Sequence, residues 1–191
     1  NIQPDLCTFG KAMANGFAVA ALGGKADIMK LGSILNEGEE RVFLTSTTHG
    51  AEMSALGAFI KTIEILKRDN VISHFWTYGT KLKDGMNDIA ESLGIKSNFV
   101  VEGYPCSPGY VTKDIEGNSS LELRTLFAQE MIKSGVIMPY LAISYSHQDS
   151  ELNQTLDAVY ASLKVVSQAL ENGIQDYLKS PIIKPVFRKF N

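Results

Sequence analysis

Six apolar residues, Leu152, Leu156, Val159, Leu163, Val166 and Leu170, recur at alternating spacings of four and three. In an α-helix that spacing lines all six along one face. A helix draws most of its stability from packing such a face, so the pattern predicts a long helix near the end of the chain. A partner helix could cover the stripe, but a core-facing role is the reading adopted. Asp149 precedes the stripe as an N-cap residue. The same periodicity appears twice more. Met53, Leu56, Ile60, Ile63 and Leu66 predict a helix over about 51–68, and Ile72, Phe75, Leu82, Met86 and Ile89 predict a second over 71–93, stopped by Gly94.

Beyond Gly94 the texture changes. Asn98–Gly103 and Gly109–Thr112 read as strands, with Pro105 and Pro108 between them. Ser119 with Glu122 fits a capping box for a helix running to about Ser134 and closed by Gly135. Val136–Met138 and Leu141–Tyr145 are short apolar runs expected to be strands. At the other end, residues 1–16 have no helical period and Pro4 excludes a helix interior, so the stretch reads as turn-rich. Val19–Gly24 reads as a buried strand, Lys25–Leu31 as one or two helical turns, and Gly32–Arg41, with three glutamates, as an exposed loop. The order of elements predicts an α/β chain with a small α+β C-terminal unit.

Charge and cysteine usage narrow the function classes. The 18 Lys and Arg against 21 Asp and Glu leave a net charge of −3, which offers no basic footprint for nucleic acid. No apolar run approaches the ~18–20 residues of a membrane-spanning helix. Cys7 and Cys106 lie far apart without C-x-x-C spacing and read as free thiols of a reducing, cytoplasmic setting. His49, His74 and His147 have no metal-pair spacing and read as neutral, hydrogen-bonded side chains, so no metal site is expected. Asn1 is not a methionine, and the opening residues read as the middle of something longer.

Two segments point to chemistry. Lys11 stands among Gly10, Ala12, Ala14 and Gly16, just before the Val19–Gly24 strand. Small neighbours let another molecule approach closely. A poorly solvated lysine loses its proton more readily, as imine formation requires. The hydroxyl-rich stretch Thr45-Ser46-Thr47-Thr48-His49-Gly50 stands at the start of a helix, where backbone N–H groups favour a phosphate; an ordinary N-cap is the plainer alternative. An imine-forming lysine beside a phosphate cradle suggests pyridoxal 5'-phosphate.

The motifs also carry a family resemblance. Pro4-Asp5-Leu6, Phe9-Gly10-Lys11-Ala12, Asn15-Gly16 and Gly23-Gly24 resemble the signature around the cofactor lysine of class III (subgroup II) pyridoxal-phosphate aminotransferases. Ser46-Thr47-Thr48-His49-Gly50-Ala51-Glu52 resembles that family's Thr-x-x-Gly-Asn-Pro phosphate segment, with Ala51-Glu52 in place of Asn-Pro. Gly135-Val136 through Ser144-Tyr145-Ser146-His147 is similar to the late segment of the glutamate-1-semialdehyde 2,1-aminomutase subgroup, in which an acidic residue stands where this chain has Pro139-Tyr140.

The resemblance covers about residues 1–172 and implies the C-terminal portion of a fold-type I transferase. Residues 1–70 would end the cofactor-binding large domain, 71–93 would form a connecting helix, 94–173 the small domain and 174–191 a tail. It further implies that Lys11 forms the internal aldimine and shuttles a proton. Thr47, with Thr48 beside it, would bind the cofactor phosphate across a homodimer interface, and an amino group would pass between a small-molecule donor and acceptor. The family's aspartate for the pyridine nitrogen, its stacking aromatic and its phosphate loop lie upstream of the lysine. The 191 residues alone are therefore expected not to complete the site, and a catalytically incomplete fragment or a non-enzymatic α/β domain is the alternative. Either contact with further protein or unusual exposure of Val19–Leu22 and Val42–Leu44 is expected.

Overall fold

The computed structural model describes residues 2–43 and 48–184. The chain divides into two compact units, Asn1–Val71 and Ile72–Asn191.

The second unit holds a continuous core. Helix α3 (Val71–Ser92) supplies Tyr78, Leu82, Met86 and Ala90 to it, the hairpin β3 (Phe99–Tyr104) and β4 (Ser107–Thr112) supplies Phe99, Val101 and Tyr110, and α4 (Leu121–Lys133) supplies Leu123, Leu126, Phe127 and Met131. The long helix α5 (Asp149–Asn172) buries Leu152, Val159, Leu163 and Val166, four members of the predicted stripe, with Leu156 and Leu170 half-buried beside them. Phe99, Tyr110 and Phe127 meet at ring separations of 4.9–5.7 Å, so strand and helix interlock through aromatic faces and edges.

The hairpin pairs antiparallel from Phe99 opposite Thr112 to Tyr104 opposite Ser107. Two strands alone are marginal in water, and here side chains occupy the outer edges. Asn87 on α3 accepts from the Val101 N–H at 2.8 Å and donates to the Val101 carbonyl at 3.0 Å, as a neighbouring strand would. Lys83 donates to the Gly103 carbonyl, and Arg124 on α4 donates to that of Tyr110. Gly79 allows α3 to approach the hairpin turn: a Cβ there would lie 1.8 Å from the Pro105 carbonyl oxygen.

Several expectations are corrected. Val136–Met138 and Leu141–Tyr145 form no strand; they are irregular, and Tyr145 lies in a turn. Pro139 has no N–H to give a ladder, and the carbonyls of Met138 and Pro139 accept from the side chains of Tyr110 and Arg124 instead. The N-cap of α4 is Ser120, not Ser119; its hydroxyl accepts from the Leu123 N–H. The N-cap of α5 is Gln148, not Asp149, with Glu151 closing a capping box on the Gln148 N–H. In each case the cap stands one residue from the expected position, because the first helical turn is set by where the apolar face meets the core. Beyond α5, Ile174, Tyr177 and Leu178 pack on the core, and Gln129 and Thr125 of α4 bond the backbone of Tyr177, Lys179 and Ile183.

The first unit is thinner. Strands β1 (Leu6–Phe9) and β2 (Ala21–Gly24) pair antiparallel, with Leu6 opposite Gly24 and Phe9 opposite Ala21. The turn-rich reading of residues 1–16 missed β1, whose four residues are too few to show a period of two. Lys25 forms an ion pair with Asp5 and closes the open end of the pair. Helix α1 (Ala26–Met29) and a 3-10 turn at Lys30–Gly32 follow, then the loop, then α2 (Met53–Arg68). Among the described residues the unit fully buries Ala14, Ala55 and Val71. Of the segments expected to be exposed, Val42 is 66% accessible while Val19 and Leu22 are half-buried; Leu44 lies outside the described residues. Greater apolar exposure falls elsewhere, at Leu35 (84%) and Met53 (82%).

Two outcomes follow from this packing. Gly79→Ala forces α3 off the Pro105 carbonyl, and the overpacking should cost about 1–3 kcal/mol, read as a lower denaturant midpoint. The Gln148 N–H is the main cause that holds the Glu151 carboxyl below the usual glutamate range, ahead of Ser150. A carboxyl lowered in the folded state stabilises at neutral pH, and that contribution disappears as pH falls through the lowered value. Glu151→Gln should therefore reduce the thermal midpoint at pH 7, and the gap from the unsubstituted chain should close as the pH is taken below the glutamate range.

Candidate functional site

Lys11 begins a 3-10 turn, Lys11–Met13, between the end of β1 and the buried Ala14. Its φ is +53°, in the left-handed region. An L-residue with a Cβ pays roughly 1–2 kcal/mol to sit there, and such strain collects at functional sites. Asn15 and Gly16 follow at φ +44° and +117°, residue types that accept positive φ easily. The sequence Gly-Lys-Ala-Met-Ala-Asn-Gly thus folds into a tight reversal that carries the chain from β1 back to β2 and leaves the lysine on its outside.

The expected poor solvation of Lys11 is corrected. The side chain is exposed, and it makes no hydrogen bond or ion pair among the described residues. Small neighbours expose a lysine unless other structure covers them, and Ala12 beside it is exposed as well.

The second predicted segment is only partly visible. Thr47 lies outside the described residues, together with Leu44, Thr45 and Ser46. Thr48 is exposed on the turn that leads into α2. In that turn His49 Nδ1 lies 3.0 Å from Glu52 Oε1, and Ala51 takes φ +61°. Glu52 is the N-cap residue of α2, but its side chain makes no capping bond, and no acidic residue occupies the first turn. The leading N–H groups of α2 therefore keep the partial positive charge that attracts an anion. Helix α2 also packs on the Lys11–Met13 turn, so the lysine and the hydroxyl-rich segment belong to one unit.

Of the three histidines, His147 is hydrogen-bonded as expected: its Nδ1 accepts from the Ser144 N–H at 3.2 Å. His49 faces Glu52. His74 departs from the expectation; it packs between the rings of Tyr78 and Tyr145, and its buried Nε2 has no partner among the described residues. Tyr78 is a buried tyrosine of the second unit that the sequence reading did not single out. Its place in the helical period signals burial and hides its hydroxyl.

Comparison with known proteins sets these segments in a family. The model of the family "Aminotransferase class-III" matches residues 1–168. A 3-aminobutyryl-CoA aminotransferase from Cloacimonas acidaminovorans is 37% identical over 172 residues, 88% of this chain and 39% of the relative. A glutamate-1-semialdehyde 2,1-aminomutase from Nitrosopumilus maritimus is 32% identical over 177 residues, 86% of this chain and 41% of the relative. Among solved structures, the PLP internal aldimine form of the FumI protein of Sphingopyxis sp. MTA144 superposes with a TM-score of 0.74 at 21% identity, over 90% of this chain and 39% of that one. An omega-transaminase from Sphaerobacter thermophilus superposes with a TM-score of 0.71 at 20% identity, over 85% and 39%. These structures share the fold, part of a fold-type I transferase, and the chain spans about two fifths of the length of the relatives it matches. With Lys11 and the hydroxyl-rich stretch 45–50 inside the matched region, the chain belongs to the class III aminotransferase family.

Proposed function

We propose that this chain carries the lysine of a pyridoxal 5'-phosphate-dependent amino-group transferase, acting as an aminotransferase or as a 2,1-aminomutase. The observation that supports this most directly is Lys11, an exposed amine without a partner among the described residues, held on a left-handed turn. The donor set fits the cofactor. A primary amine can bond its aldehyde, and the uncapped leading N–H groups of α2 can donate to its phosphate, with His49 set against the Glu52 carboxylate at that helix end. The bound cofactor supplies an electron sink for the charge that develops on the substrate α-carbon. Lys11 Nζ binds the cofactor covalently at rest. As a free amine, Nζ would be the base that takes the substrate α-proton and moves it to its new carbon. The rigid pairing of β1 with β2 on either side of the turn limits how far the amine strays from that path.

Thr47 is assigned to the cofactor phosphate of a partner subunit, with Thr48 beside it, in a homodimer whose sites lie at the interface. The apolar side chains exposed on the first unit, Leu35 and Met53 among them, suit such a contact surface. Donor and acceptor are small molecules, and the setting is the cytoplasm.

Two variants of the whole protein test the assignment. Lys11→Ala should abolish the visible absorbance that the cofactor gains on bonding the lysine, and with it turnover of an amino donor. Near-normal turnover by that variant would sink the reading. Thr47→Ala removes one hydrogen bond to a charged group, a loss of roughly 1.5–3 kcal/mol. Cofactor affinity measured by titration should then weaken by about one to two decades; an unchanged affinity removes Thr47 from the phosphate site.

A further inference from the structure

Gly173, at φ +93°, breaks α5, and the chain that follows turns back along α4. Ile174, Tyr177 and Leu178 are half-buried against the core. Past Leu178 the apolar side chains stop anchoring, and Ile182 and Ile183 are 41% and 40% exposed. The main chain is held there instead. Gln129 Nε2 donates to the Tyr177 carbonyl at 3.0 Å, and Gln129 Oε1 accepts from the Lys179 N–H at 2.8 Å. One side-chain amide thus serves both groups, as a peptide of a neighbouring strand would. Gln129 is itself oriented, since Nε2 also donates to Glu130 Oε1 at 2.8 Å. One helical turn earlier, Thr125 Oγ1 accepts from the Ile183 N–H at 2.9 Å, so the segment runs antiparallel to α4.

Leu123, Phe127 and Met131 of α4 belong to the core. Thr125 and Gln129, four residues apart, share the opposite face. A threonine on an outer helix face is ordinarily exposed, yet Thr125 is 2% accessible. The returning segment covers it. Its other attachments are few. Asn172 donates to the Tyr177 hydroxyl at 3.4 Å, the N–H groups of Ser180 and Ile182 have no partner among the described residues, and Pro181 has none to give. The segment also lies outside residues 1–168, the part matched by the family model. Backbone held by a few side-chain bonds over little apolar burial opens at a lower free energy than a core.

We propose that residues 174–183 form a strap that undocks from α4 as one unit about Gly173. Closed, it seals the outer face of α4 at Thr125 and Gln129; open, it returns that face to water. Gln129 and Thr125 hold it jointly, so losing the bonds at one end frees the other.

The test is NMR-detected hydrogen exchange on the full 191-residue chain. The Lys179 and Ile183 amides should share one protection, above that of Ser180 and at least about tenfold below that of Leu163 in α5. Gln129→Met removes both of its bonds to the strap and should speed Lys179 and Ile183 alike, by about tenfold, with Leu163 unchanged. Should that variant also loosen α5, Thr125→Val reads the same coupling from the other end, through Lys179. Protection equal to that of Leu163 would make the segment part of the core, and protection no greater than that of Ser180 would mean it does not dock. Either result, or a Gln129→Met effect confined to Lys179, overturns the proposal.

Discussion

The second unit depends on the apolar face of α5. Leu152, Val159, Leu163 and Val166 are buried from end to end of that helix, and each such side chain contributes roughly 1.5–3 kcal/mol relative to exposure. What they cover could not stand alone. A two-stranded hairpin is marginal in water, and α4 is too short to be stable by itself. Helix α5 packs on α4 and, through Leu156, against Gly85 of α3, and its buried face joins the hairpin's side chains in one core. The aromatic trio Phe99, Tyr110 and Phe127 occupies the part of that core where strand meets helix.

Once the core is closed, polar side chains decide its finer shape. Arg124 lies 4.4 Å over the Tyr110 ring and donates to the carbonyls of Tyr110 and Pro139. One guanidinium thus joins β4, α4 and the segment 136–143, a use of its planar fork that lysine could not reproduce. Asn87 performs the matching service on the other edge of the hairpin. Exposed strand edges invite mispairing, and these two side chains occupy both. Segment 136–143 is held by side chains rather than by a ladder, so it can line a cleft instead of filling a sheet.

The first unit follows a different rule. It has little core, a short strand pair, and several large apolar side chains at its surface. Its distinctive feature is backbone conformation: among the described residues four other than glycine take positive φ, and Lys11, Asn15 and Ala51 of these lie in the two segments that the family resemblance marks. Here the chain accepts strain and exposure, a pattern suited to contacts with other groups more than to self-contained stability.

Helices and their faces were legible in the sequence because a period of 3.6 repeated over sixteen or more residues is a strong signal; α2, α3 and α5 lie close to where their stripes predict. The hairpin was legible from its β-branched and aromatic runs, and Lys11 stood out through a motif rather than through a period. Sequence alone therefore determined which segments are helical, which faces are apolar and which lysine is singular. Tertiary structure decided the rest. Helix caps moved by one residue to suit packing, and Leu6–Phe9 became a strand only because Ala21–Gly24 lies beside it. Val136–Met138 became no strand at all, because Tyr110 and Arg124 reached neighbouring carbonyls first. Solvation of Lys11 and the ring contact between Tyr78 and His147 also depend on residues remote in the chain. Periodicity records what a segment prefers locally, whereas burial, pairing and the meeting of polar groups are set by contacts between segments that no local pattern encodes.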